Sequence, residues 1–219
     1  MTALLVTYAT ALLLGSLHAF EADHMAAVTA FAVRRPGARE AVRFGVRWSL
    51  GHGGAIILVG AGLLLLGLQL PDAAGHWLER FVGVVMIGLG AWTFRGAREL
   101  HAHAHSHDDG TVHTHLHSHA LTGSHDHRHA ATAVGLMHGL AGSGSAVALV
   151  PLVGFETAAG GILYLVMFAI GTVGAMALYG LLAGLVVGRT AVQSVRVART
   201  IARVTGALTI MIGFVWLLR

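Results

Sequence analysis

His18-Ala19-Phe20-Glu21-Ala22-Asp23-His24 sets four ionisable side chains into an otherwise apolar run from Met1 to about Val33. Carboxylates and imidazoles are costly in hydrocarbon, so in a membrane helix they line a cavity, a pathway or a partner helix. The donors here are nitrogen and oxygen, and the chain has no cysteine. That set suits a divalent transition metal. With His18 at zero on an ideal helix, Asp23 falls at about 140° and His24 at about 240°, and the two histidines are about 9 Å apart in rise. A straight helix cannot bring these groups to one ion. The reading therefore requires a bulge or unwinding around 19–23, which is tolerated where backbone lines a protein cavity. Glu21 lies between His18 and His24 on one stripe, and is a candidate ligand or an acceptor for an imidazole N–H.

The rest of the chain fits that setting. Only 11% of its 219 residues are charged, against about 25% in ordinary soluble domains, and mean hydropathy is +0.72. Apolar runs near the length of a bilayer crossing recur throughout, so the expected class is an all-α polytopic membrane protein. Six spans are expected, at about 3–33, 44–69, 77–98, 131–153, 158–187 and 200–218. The third and sixth are the weakest, with uncharged cores of only Phe81–Phe94 and Val204–Leu218. Met1–Phe20 lacks a basic start, since the first arginine is Arg34, and is read as part of the first span rather than as a signal peptide.

Positive charge comes from arginine alone. Arg34, Arg35, Arg39, Arg43 and Arg47 follow the first span; Arg95, Arg98 and Arg128 flank the third connection; Arg189, Arg196, Arg199 and Arg203 flank the fifth. The opposite face has Arg80 and Arg219. This bias places the connections 34–47, 95–130 and 188–203 in the cytoplasm and both termini outside, in a bacterial plasma membrane. It gives no reason to expect nucleic-acid binding. The two halves also look related. Gly15-Ser-Leu-His18 matches Gly135-Leu-Met-His138, and Gly51-His-Gly-Gly54-Ala matches Gly171-Thr-Val-Gly174-Ala, both at a shift of 120. With three spans per half, that is an inverted repeat: residues 1–100, then a His-rich segment 101–130, then residues 131–219.

Two further histidines lie in apolar helices. His52 stands among glycines in Ser49-Leu-Gly51-His52-Gly-Gly54 and is a candidate ligand or gate. His138 precedes the small-residue run Gly142-Ser-Gly-Ser145, a poor helix former suited to lining a path. Gly180, Gly184 and Gly188 recur every four residues and suggest helix packing only. In the segment 101–129, His101, His103, His105, His107, His113, His115, His117, His119, His125, His127 and His129 alternate with small polar residues. This composition predicts a disordered, auxiliary metal-binding arm.

These residues resemble the nickel/cobalt transporter family, whose hallmark His-x4-Asp-His reads His18-Ala-Phe-Glu-Ala-Asp23-His24 here. Phe44-Gly-Val-Arg-Trp48-Ser-Leu-Gly51-His52-Gly and Gly154-Phe-Glu156-Thr-Ala158 are similar to two further family segments. The short layout and His138-Gly-Leu-Ala-Gly-Ser-Gly look most like the urease-accessory membrane proteins of that superfamily. The resemblance implies transport of Ni²⁺ or Co²⁺, with His18, Asp23, His24 and His52 at the site and a role for Glu156. It also implies cytoplasmic nickel chaperones or urease or hydrogenase maturation proteins as partners.

The expected function is a permease for Ni²⁺, with Co²⁺ as an alternative cargo, working in uptake and needing no organic cofactor. No enzyme is expected, since HExxH is absent, and the lack of GxxxxGK[ST] leaves no ATP site in the chain. Two rivals stay open: efflux, with the His-rich arm collecting surplus metal, and a membrane haem protein using pairs among His18, His52 and His138 as axial ligands.

Overall fold

The computed structural model describes residues 2–34, 37–67, 72–99, 101–106, 112–117, 128–141, 152 and 154–218. Its helices are α1 (Thr2–His18), α2 (Ala22–Arg34), α3 (Ala38–Leu66), α4 (Asp72–Glu99), α5 (Arg128–Ala141), α6 (Ala158–Gln193) and α7 (Val195–Leu217). Two short strands, β1 (His101–Ser106) and β2 (Val112–His117), lie between α4 and α5.

The first expected span is broken. α1 and α2 meet at a 55° bend. Phe20 N donates to Leu17 O and Glu21 N to His18 O, both at 3.0 Å, so the chain tightens into i→i−3 turns before Met25 N→Glu21 O resumes the α pattern. The unwinding demanded by the spacing of His18, Asp23 and His24 is therefore at residues 19–21. α3 ends where Gly67 adopts a left-handed conformation, φ 63°, and returns its N–H to Leu63 O.

Among the described residues, three stretches, Ala38–Leu66, Ala158–Arg189 and Val195–Leu217, are long and apolar enough to cross a membrane, and the bent α1–α2 pair makes a fourth. Two of the six expected spans are not among them. The uncharged core of α4 is short and carries Arg95 and Arg98 beyond it, and α5 is described over 14 residues, Arg128–Ala141. A helix of 14 residues rises only about 21 Å, against about 30 Å of hydrocarbon. The remainder of the expected 131–153 span lies mostly outside the described residues.

Two expected connections are largely helix. Arg39, Arg43 and Arg47 belong to the first turns of α3, and the connection expected at 188–203 shrinks to Ser194, whose hydroxyl accepts from Val197 N at the start of α7. Arginine is a good helix former, so its clusters mark the ends of helices that extend past the apolar zone. Nor is the His-rich segment without order. Residues 101–106 and 112–117 pair antiparallel, with His101 opposite His117, His103 opposite His115 and His105 opposite His113.

The exterior is apolar: Leu5, Leu58, Leu65, Leu66, Val186, Met211 and Phe214 are all more than half exposed. The interior instead holds His18, Asp23, His24, His52 and His138. This inverts a soluble protein's distribution and is that of a membrane protein. α3 packs against α6 and α5, α1 against α6, and α4 against α7. Glycines let backbones touch at these crossings. A Cβ on Gly15 would strike the Phe168 carbonyl, and one on Gly135 the Trp48 carbonyl. Gly51 abuts Thr132 O, and Gly171 abuts Leu12 O. On the other side, Gly83 and Gly213 face each other at 2.7 Å from added Cβ to carbonyl, as do Gly90 and Gly206 at 2.7–2.8 Å. Gly180 and Gly184 admit the start of α3.

Candidate metal centre

The break between α1 and α2 builds the site. Ending α1 at His18 turns its ring inward, and restarting the helix at Ala22 puts Asp23 and His24 in the first turn of α2. His52 projects from the middle of α3, and His138 from the last turn of α5. All five side chains are buried, none more than 3% exposed. Imidazole at a helix C-terminus and carboxylate at an N-terminus also suit the two helix dipoles.

Asp23 organises one half. Its Oδ1 accepts from the backbone N–H and the Nδ1 of His24, both at 2.9 Å. Its Oδ2 accepts from His138 Nε2 at 3.0 Å. A carboxylate holding Nδ1–H fixes the His24 tautomer and leaves a lone pair on Nε2. That Nε2 is buried without a hydrogen-bond partner among the described residues. In the other half, His18 Nε2 and His52 Nε2 approach to 3.1 Å and share one proton.

Two overlapping sets of donors are close enough for one ion each. His18, His24 and His52 bring ligand atoms within 4.8 Å of one another, and so do Asp23, His24 and His138. Nitrogen from three or more helical segments, with one carboxylate and no thiolate, suits Ni²⁺, Co²⁺, Zn²⁺ or Cu²⁺. Glu21, in the break, has Oε1 2.9 Å from His18 Nδ1 but outside hydrogen-bond alignment, and its side chain is 36% exposed. It is the member of the set that reaches the surface.

Other expected residues lie apart. Glu156 is exposed in the segment before α6, away from the buried cluster, and the hydroxyl that accepts from Gly160 N at the start of that helix is Thr157, not Glu156. His101, His103, His105, His113, His115 and His117 are on the two strands, and His129 is in the first turn of α5. His107, His119, His125 and His127 lie outside the described residues.

The sequence reading missed the aromatic wall. Trp48 stacks on His52 with centroids 5.1 Å apart and planes 9° apart, and meets His24 edge-on at 4.9 Å. Phe168 covers His18 at 5.4 Å. Trp48 stands four residues before His52, one turn away on the same face, and that spacing was the available signal. Thr172, buried beneath, donates to Gly15 O or Phe168 O at 3.1 and 3.0 Å and ties α6 to α1.

A family model described as the cytochrome c biogenesis protein transmembrane region matches residues 7–215. A urease accessory protein, UreH, of Bacillus sp. (strain TB-90) is 26% identical over 204 residues, covering 91% of this chain and 85% of the relative. Two Arabidopsis thaliana chloroplast proteins, named for growth and fertility, are 28% and 27% identical over 78% and 84% of this chain. The chain spans about half the length of those two, 47% and 48%. No solved structure matches.

Proposed function

The chain belongs to the cytochrome c biogenesis protein transmembrane-region family, and from its buried histidine cluster we propose that it is a membrane permease for a divalent transition-metal ion. The cargo is Ni²⁺, with Co²⁺ as the alternative. The observation that carries this reading is the convergence of His18, His24 and His52 from α1, α2 and α3, with His24 Nε2 unpartnered in the interior. The three imidazoles replace part of the ion's water shell. Asp23 acts through His24, whose ring it orients. Thiol exchange has no place in these 219 residues, which contain no cysteine.

Nickel is favoured by likeness to a relative whose name assigns it an accessory role to urease. The partners proposed accordingly are cytoplasmic nickel chaperones or urease or hydrogenase maturation proteins. The direction proposed is uptake into a bacterial cell across its plasma membrane. The membrane potential favours inward movement of cations by about 2.3 kcal/mol per charge per 100 mV, and a dication gains twice that.

The architecture proposed with it is six spans in a 3+3 inverted repeat, both termini outside and the His-rich arm cytoplasmic. The glycine contacts support the repeat. Gly15 against Phe168 and Gly135 against Trp48 are one contact displaced by 120 in both partners, and so are Gly51 against Thr132 and Gly171 against Leu12. The arm is proposed to gather metal for the path. Its register supports this, because it sets three pairs of histidines opposite one another in the backbone ladder.

The haem alternative fits poorly for one of its pairs. His18 and His52 stand with Nε2 atoms 3.1 Å apart, too close for an iron between two axial nitrogens, and the rings of His24 and Trp48 pack beside them. The test is nickel flux into proteoliposomes, comparing the unmodified protein with His24→Ala and His52→Ala. Flux should fall in both variants; equal flux in all three removes the site. Cells overproducing the protein should become nickel-sensitive, whereas tolerance would reverse the direction.

A further inference from the structure

His24 stands between two donor sets, and its two nitrogens are not equivalent. Nδ1 is 2.9 Å from Asp23 on the side shared with His138, while Nε2 is unpartnered among the described residues and available to His18 and His52. We propose that Asp23, His24 and His138 form a second ion position, filled in alternation with the His18–His24–His52 position. The dication moves between the two across the His24 ring. This rests on the permease reading and deepens it.

Alternation follows from the chemistry of the shared residue. A neutral imidazole offers one lone pair, so His24 serves an ion at Nε2 with its proton on Nδ1 against Asp23, or at Nδ1 once that proton has moved to Nε2, not both. Two dications on either side of one ring also repel strongly with a single carboxylate between them. The positions differ in charge. Neutral imidazoles form the first, and Asp23 is one residue removed from the ion. In the second, Asp23 meets the ion directly, which compensates for one fewer imidazole. The helices are arranged accordingly. The first position uses α1, α2 and α3, and the second exchanges α1 and α3 for α5 while keeping α2. His18 and His138 match at the shift of 120, so each position contains one member of that corresponding pair. Gly139 abuts the His52 carbonyl, so α5 presses directly on the helix that supplies the first position.

His138 is therefore required for transit more than for resting binding. The probe is Co²⁺, whose visible absorption reports its ligands. Purified full-length protein, His52→Gln and His138→Gln are each titrated with Co²⁺, checked for thermal unfolding, and assayed for Co²⁺ flux in proteoliposomes. Gln at 138 keeps an N–H donor for Asp23. His138→Gln should leave cobalt affinity and spectrum close to those of the unmodified protein while flux drops about tenfold or more, and His52→Gln should weaken binding by about tenfold or more. Unchanged flux in His138→Gln, with His52→Gln impaired, overturns the second position and spares the permease reading. Loss of binding in both variants means a single site made of all five residues, and also overturns it. Normal binding and flux in all three removes the histidine site and the second position with it, whereas absence of Co²⁺ flux in the unmodified protein defeats the permease reading itself. Should His138→Gln not fold, anomalous scattering from crystals of the unmodified protein at rising cobalt levels decides the matter. Two positions flanking His24 are expected, and a single one overturns the proposal.

Discussion

Asp23 is the smallest unit on which the proposed site depends. It accepts three hydrogen bonds, two from His24 and one from His138, and both rings are aimed by it. Asp23→Asn keeps an oxygen for His24 Nδ1–H but replaces the other oxygen with an NH₂ that opposes the His138 N–H. Carboxylates that orient ligating histidines contribute about 10–100-fold to metal affinity. Cobalt titration of Asp23→Asn should show a loss in that range with the fold retained; unchanged affinity would mean that neither its charge nor its hydrogen bond to His138 serves the metal. Trp48 acts on the same rings by packing. Trp48→Ala removes the flat surface against His52 and leaves a cavity, which costs about 3–5 kcal/mol for a buried aromatic. A drop in thermal unfolding temperature together with weaker cobalt binding is expected, and Trp48→Phe should recover most of both. Asp23 was visible in the sequence because a carboxylate in an apolar run demands an explanation. Trp48 was not, because a tryptophan in an apolar helix needs none until the ring beside it is known. Glu156 was singled out by resemblance alone, and nothing in its local sequence could say that the start of α6 lies apart from the cluster.

At the scale of elements, the bend at 19–21 and the glycine crossings decide how the rings meet. The bend was legible, since the angular spacing of His18, Asp23 and His24 has no solution on a straight helix. The crossings were legible only as a correspondence between halves, because a glycine does not name the carbonyl it will face. Their consequence can be measured. Gly15→Ala and Gly135→Ala each push a methyl into a backbone carbonyl, of Phe168 and Trp48 respectively, and neither backbone can rotate away as a side chain would. Overpacking of this kind costs about 1–3 kcal/mol. Gly54 and Gly88 have nothing within 4 Å of an added Cβ, so alanine there should leave stability unchanged or raise it by about 0.5–1 kcal/mol. Thermal unfolding in one detergent should separate the pairs; equal effects at all four positions would mean that the crossings are looser than the contacts imply. The arginine-rich stretches misled at this scale. Charge reads as a loop when only hydropathy is followed, but Arg189–Arg203 is helical except at Ser194 because arginine ends a membrane crossing without ending a helix.

For the molecule as a whole, the open question is whether α4 crosses the bilayer. Composition favours six crossings, whereas length and apolarity give three among the described residues, or four with the bent pair. Packing argues for the larger number. α4 lies along α7, one of the helices apolar enough to cross, and they touch backbone to backbone at Gly83–Gly213 and at Gly90–Gly206. These contacts span seven residues of each helix, about 10 Å of shared length. Arg80 near one end of α4 and Arg95 and Arg98 near the other bracket its apolar core, and long side chains of this kind reach to the interface from a short span. The absence of natural cysteine makes the question answerable, because any thiol introduced is the sole one present. His76→Cys lies near the start of α4, where His76 is exposed, and Ser118→Cys lies in the His-rich segment beyond its end. If α4 crosses, a membrane-impermeant maleimide added to whole cells should label His76→Cys and not Ser118→Cys, and inverted vesicles should reverse the pattern. Labelling of both from one side would fold α4 back along a single face. The two halves would then no longer be inverted copies, and α5 would meet the histidine cluster from a direction that the repeat does not provide.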